Sequence, residues 1–155
     1  MEAHLTWKTK LFSKQYEIYR NDNLIGELRK EGLSRKTNGE LNVKKIIFMT
    51  KGFFRHETRI MDFDEISTLG TINYSSWKSK STLNYMNKEY KWQFDNFLRT
   101  KWSLGNENGT IIRYHSRGFK GIIDTYTDDE VLILSGFFIR NFLRQRSAES
   151  SAASS

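Results

Sequence analysis

Apolar and polar positions alternate in short runs over most of this chain, and one longer apolar run breaks the pattern near its end. That run lies within Thr127 to Arg146, TDDEVLILSGFFIRNFLRQR. Val131, Leu132, Ile133 and Leu134 at about 100° per residue cover every side of a helix. Phe137, Phe138 and Ile139 extend the apolar surface, and polar positions open only at Arg140, Asn141 and Arg144. A helix that is apolar all round belongs in an interior. A continuous apolar run also fits a buried strand. The ends favour a helix over 128–146. Thr127 with Glu130 has capping-box spacing, and Asp128, Asp129 and Glu130 suit the positive end of the helix dipole. Arg140, Arg144 and Arg146 suit its negative end. The run is too short for a bilayer span of roughly 20 residues, and Arg140 and Asn141 interrupt it.

Upstream, the alternation predicts strands at 5–12, 15–20, 24–30, 41–48, 53–62, 69–74, 81–86, 89–94, 97–104, 110–115 and 119–126. Asn21-Asp22-Asn23 reads as the turn of a hairpin over 15–30. Asn38-Gly39 reads as a hairpin turn before the strand at 41–48. The Gly105–Gly109 cluster GNENG reads as another turn. Ten or more short strands suggest a sandwich or barrel, and an all-round apolar helix has to be enclosed by it. QYEIYRNDNLIGELRK echoes YKWQFDNFLRTKWSLGNENG, and GELNVKKIIFMTKGFF echoes GTIIRYHSRGFKGII. Two similar halves suit a pseudo-symmetric barrel. The expected organisation is one all-β domain over 1–146 with a central helix, then a flexible Ser/Ala-rich tail over 147–155.

Composition narrows the chemistry. The 155 residues suit one domain, and 11 Phe, 7 Tyr and 4 Trp supply a core. Without cysteine there is neither a disulfide framework nor thiolate chemistry. The start, MEAHLTWKTKLF, lacks the apolar segment of a secretory signal, so a cytoplasmic protein is expected. The net charge of +7 and pI near 9.6 favour anionic partners. Basic residues cluster at Arg29, Lys30, Arg35 and Lys36, at Lys44, Lys45 and Lys51, and at Trp77, Lys78 and Lys80. The last group mixes an aromatic ring with charge, as lipid-interface and single-stranded nucleic-acid surfaces do. A solvated strand face with Glu27, Glu31 and Glu40 nearby is the plainer reading.

No catalytic motif, cofactor motif or metal-ligand spacing stands out. Phosphate loops, G-x-S-x-G and HExxH are all missing from the sequence. His4, His56 and His115 have no ligand spacing. Asp62, Asp64 and Glu65 lack the rest of a calcium loop and read as a turn.

The layout resembles the tubby C-terminal-like superfamily, which includes the LURP-one-related proteins and the phospholipid scramblases. The residues that carry the likeness are YEIYRNDNLIGELRK, the strand Gly109-Thr110-Ile111-Ile112, and DDEVLILSGFFI. The resemblance implies a closed barrel of roughly twelve strands around a buried C-terminal helix. It also implies a non-enzymatic, lipid-binding module, in the way tubby proteins bind phosphoinositides through a basic site. No basic pair here aligns with that site. The expected ligand is the headgroup of an anionic phospholipid, with the protein peripheral to a membrane. The alternatives are nucleic-acid binding through the basic strands, and a protein-interaction or structural domain with no small ligand. A small-molecule carrier or enzyme is disfavoured, because the helix fills the barrel.

Overall fold

A computed structural model of the chain describes residues 2–11, 13–31, 35–51, 57–75 and 79–154. Twelve strands precede one helix: β1 (Ala3–Thr9), β2 (Gln15–Arg20), β3 (Asn23–Lys30), β4 (Lys36–Leu41), β5 (Lys44–Lys51), β6 (Glu57–Asp62), β7 (Thr68–Tyr74), β8 (Lys80–Tyr85), β9 (Lys88–Phe94), β10 (Lys101–Asn106), β11 (Gly109–Arg117), β12 (Lys120–Thr125) and α1 (Glu130–Ser154). The strands form a closed antiparallel barrel in which β1 pairs with β12. Closure leaves no free sheet edge. Each strand sends alternate residues inward, as the pleat requires: Leu5 and Trp7 on β1, Ile46 and Phe48 on β5, Tyr114 and Ser116 on β11 are buried.

Every neighbouring pair is antiparallel, so connections alternate between the two ends. The loops after odd-numbered strands share one end, and those after even-numbered strands share the other. α1 starts after β12 at the second end and leaves through the first, here called the exit end. From Val131 to Arg140 every helix residue is buried. This is the environment that its all-round apolar character demands.

The barrel grips the helix at its middle. Trp92 Nε1 and Trp102 Nε1 both donate to the Gly136 carbonyl oxygen, at 2.9 and 3.2 Å. Tyr114 Oη donates to the Ile133 carbonyl at 2.8 Å. A Cβ on Gly136 would stand 2.2 Å from Tyr114 Oη, so only glycine fits there. Phe48 stacks on Phe138 at 4.3 Å and Tyr74 on Phe142 at 4.5 Å.

Several expectations change. The helix cap is Asp129, not Thr127: Asp129 Oδ1 accepts from the Val131 and Leu132 amides at 3.0 and 3.4 Å. Thr127 Oγ1 serves the turn before it, accepting from the Asp129 amide at 3.2 Å. Asp129→Ala is expected to cost about 1 kcal/mol, the usual worth of an N-cap, read from the urea midpoint. The helix also continues to Ser154, through the segment expected to be a tail. Neither Gly nor Pro follows Gly136 to stop it. Arg140, Arg144 and Arg146 therefore lie within the helix, and none occupies its last turn.

Asn38 and Gly39 lie inside β4, paired with Ile47 and Ile46. The hairpin turns instead at Asn42, which takes a φ of 55°. Gly39 faces inward, where a Cβ would touch Phe48 at 3.3 Å and Ile46 and Leu134 at 3.4 Å. Phe97 and Leu98 lie in a turn rather than a strand, because Asn96 Oδ1 gathers the amides of Thr100 and Lys101 at 3.0 and 3.1 Å. Residues 53–56 of the strand expected at 53–62 fall outside the described residues. The sequence echo is not a barrel symmetry. It pairs β2–β3 with β9–β10 and β4–β5 with β11–β12, an offset of seven strands. An odd offset matches strands that run in opposite directions, which rotation about the barrel axis cannot superpose.

Burial raises the phenol pKa of Tyr114 well above its ordinary 10.0, and that of Tyr74 likewise. These groups favour folding fully below pH 10 and lose that contribution as the pH rises above it, where unfolded tyrosines ionise. Melting temperature is expected to fall between pH 9 and about 11, and Tyr74→Phe should flatten part of that fall.

Candidate anion site at the exit end

A cavity of about 530 Å³ opens at the exit end, between the emerging helix and the barrel wall. Its wall combines the loop after β1 (Ser13, Lys14), inward positions of β2 to β5 (Tyr16, Leu28, Lys30, Thr37, Thr50), Arg35, and the helix from Phe138 to Arg146. Five of these residues are cationic: Lys14, Lys30, Arg35, Arg144 and Arg146. No carboxylate lines the cavity among the described residues.

Strand alternation explains which cations arrive. Lys30 follows Gly26 and Leu28 on the inward face of β3, while Arg29 faces out and is exposed. Arg35 sits just before β4 and reaches the cavity, while Lys36, at the start of β4, points outward and pairs with Glu65. That carboxylate raises the Lys36 pKa, first by hydrogen bonding and then by charge. The β3–β4 hairpin thus splits the first basic cluster between the cavity and the outside.

The other expected residues lie elsewhere. Lys44 is 3.7 Å from Asp62 at the opposite end, and Lys45 lies over the Phe63 ring at 5.5 Å. Lys80 is exposed at the start of β8 and is not part of the cavity wall. Trp77 and Lys78 fall outside the described residues, as does His56. Sequence reading missed Lys14, and it assigned Arg144 and Arg146 to the helix dipole. Inward parity of Lys30 with Leu28 was the available signal. What hid the rest is that the cavity joins elements more than 100 positions apart.

Polar groups complete the wall. Asn141 Oδ1 accepts from the Arg140 guanidinium at 2.8 Å. Arginine only donates, so this bond fixes the amide orientation. Among the described residues, Asn141 Nδ2 is then left buried without a partner. Ser81 Oγ and Ser135 Oγ share that condition, but only Asn141 lies on the cavity wall. Thr50 begins a chain of hydroxyls, 2.9 Å to Thr58 and from there 2.7 Å to Tyr74 Oη.

Arg140 lies behind the cavity, 4% exposed. Its guanidinium sits 5.5 Å from the Trp7 ring and 4.9 Å from the Trp102 ring, and it donates to Ser116 Oγ at 3.0 Å. Burial, reinforced by Arg144, lowers its pKa to about 10. Among the described residues no carboxylate lies within 4.0 Å of it. A charge placed there adds positive potential behind the cavity.

The acidic groups have structural roles. Asp64 Oδ1 accepts from the Ile66 and Ser67 amides at 2.8 and 3.1 Å, which lowers its pKa. His4 pairs with Asp124 on the outer surface, and its pKa is raised by that bond. Among the described residues, no helix is long and apolar enough to cross a membrane. Set against known protein families, curated proteins and solved structures, the chain finds no match.

Proposed function

We propose that this protein is a non-enzymatic binding module that takes a phosphate-bearing anion, the headgroup of an anionic phospholipid, into the cavity at the exit end of the barrel. The observation that carries the reading is the lining itself: five cationic side chains and a buried, unpartnered amide donor, with no carboxylate among the described lining residues. Cations in a recess with low-dielectric walls focus potential far more than scattered surface charges do. Guanidinium groups are suited to phosphate oxygens, which they can grip with two parallel bonds. A volume of about 530 Å³ lies in the range of small-molecule sites and suits a headgroup bearing more than one phosphate.

A tubby-like relationship is part of the proposal. It is supported by the twelve-stranded barrel closed around a C-terminal helix. The cavity lies beside the helix rather than in its place, so the filled barrel is no obstacle to binding.

The test is calorimetric titration with inositol 1,4,5-trisphosphate, a soluble headgroup, at near-physiological salt. The proposal expects one saturable site that Arg35→Glu with Arg144→Glu weakens roughly 30-fold. Binding unchanged in that variant removes the cavity from the account. Tighter binding to single-stranded RNA than to the headgroup, with a steep salt slope, would favour nucleic acid.

A further inference from the structure

Among the described residues, three connections at the exit end expose large apolar side chains. Leu11 lies between β1 and β2, Phe97 and Leu98 between β9 and β10, and Phe119 between β11 and β12. Phe97 is 97% exposed and Leu98 77%. The barrel order β2, β1, β12, β11, β10, β9 makes these three connections consecutive around the rim. Backbone hydrogen bonds tie them to one another. Thr9 N donates to the Phe119 carbonyl at 2.7 Å, and Ser116 N to the Thr100 carbonyl at 2.8 Å.

The loop that carries Phe97 and Leu98 is built rather than loose. Asn96 holds its base through three hydrogen bonds. Arg99 takes a φ of 58° and lies over the Phe94 ring at 5.1 Å. The two apolar side chains are thus held out at the tip, away from the core. Around them stand exposed cations: Lys10, Lys14, Arg99, Lys101, Arg117 and Lys120. Asp95, the nearby acid, is occupied by Gln93 and Ser103 at 3.0 and 3.1 Å.

The opposite end also exposes apolar side chains, at Val43, Ile66 and Met86. Its loops carry Asp22, Asp64, Glu65, Glu107, Asp128 and Asp129 and no lysine or arginine, and the adjoining strand ends bring only Arg20, Lys44 and Lys88, so a negative surface would repel it. Charge therefore distinguishes two apolar ends that exposure alone does not.

We propose that the exit end docks on an anionic bilayer, with Leu11, Phe97, Leu98 and Phe119 inserted at the acyl boundary and the surrounding cations among the headgroups. The inference rests on the headgroup reading of the cavity, since insertion at this rim turns the cavity mouth towards the membrane. Apolar side chains in a basic setting are the pattern that binds at membrane interfaces, and exposed basic residues near an anionic leaflet add to it.

The test uses flotation with vesicles of phosphatidylcholine alone, or with phosphatidylserine and phosphatidylinositol bisphosphate added. Phe97→Ser with Leu98→Ser is expected to weaken binding to the anionic vesicles roughly tenfold or more. The same variant should bind soluble inositol trisphosphate as the parent does. Both residues lie outside the core, and circular dichroism confirms folding of the variant. In a second arm, Leu98→Trp should add fluorescence that acyl-chain-brominated lipids quench. Parent-like vesicle binding by the double variant, or an unquenched tryptophan, overturns the docking proposal. So does equal binding to neutral vesicles. If soluble trisphosphate fails to bind but vesicle binding persists and depends on Phe97 and Leu98, docking stands and the cavity reading falls.

Discussion

Gly136→Ala is expected to destabilise the protein by about 3 kcal/mol, although alanine is the better helix former by about 1 kcal/mol. The reason is space. The new methyl would stand 2.2 Å from Tyr114 Oη, and Tyr114 is 2% exposed with its hydroxyl already donating to Ile133. Tyr114 stacks on Trp102, with ring centroids 5.4 Å apart, so it cannot swing aside without moving a second ring. Overpacking a filled core costs about 1–3 kcal/mol, occasionally more. Displacing the helix backbone would also stretch the two indole bonds to the Gly136 carbonyl, and a buried donor left without a partner costs about 1–3 kcal/mol. The steric and polar losses exceed the propensity gain. The readout is the urea midpoint at constant slope. A midpoint equal to that of the parent would mean that the helix is not gripped by Trp92, Trp102 and Tyr114.

The second large effect concerns binding. Arg35→Glu with Arg144→Glu is expected to weaken trisphosphate binding by about 2 kcal/mol, roughly 30-fold in Kd. Both side chains are exposed at the cavity mouth, so the fold should tolerate the change. Two unit charges about 6 Å apart interact by roughly 3 kcal/mol at an effective dielectric near 20. Salt screening lowers this for exposed groups, which is why the expected loss from two reversals is set below the unscreened sum. The matched control is Lys44→Glu with Lys80→Glu. It makes the same change in net charge but lies outside the cavity wall. A general charge effect predicts equal losses in the two variants, whereas a site predicts a loss in the first alone.

The sequence made the helix legible because an apolar run on all sides of a helix has few places to go. The hairpin over 15–30 was legible too, since Asn21 and Asp22 both take positive φ at its turn. Misplaced turns have physical causes. Gly39 follows Asn38 like a turn pair, but both pair with β5 inside the sheet, and the positive φ of the turn falls at Asn42. Thr127 and Asp129 are both competent caps, and two residues of helix start decide between them.

The candidate site was less legible than the fold. Clustering of cations along the sequence grouped Arg29, Lys30, Arg35 and Lys36. The pleat then sends Lys30 inward and Arg29 outward. Arg144 and Arg146 looked like complements to the helix dipole, because the helix was expected to end at 146. Its continuation to Ser154 leaves them inside the helix, beside the cavity.

The most direct test of the central claim, an anion held at the exit end, is a chemical-shift map of the trisphosphate titration on uniformly labelled protein. The account predicts saturable shifts at Tyr16, Lys30, Thr37 and Thr50, with the Asn141 side-chain amide moving as its unpartnered proton gains an acceptor. Shifts spread over Lys44, Lys80 and the outer strand faces, with the Asn141 amide unmoved, would contradict it.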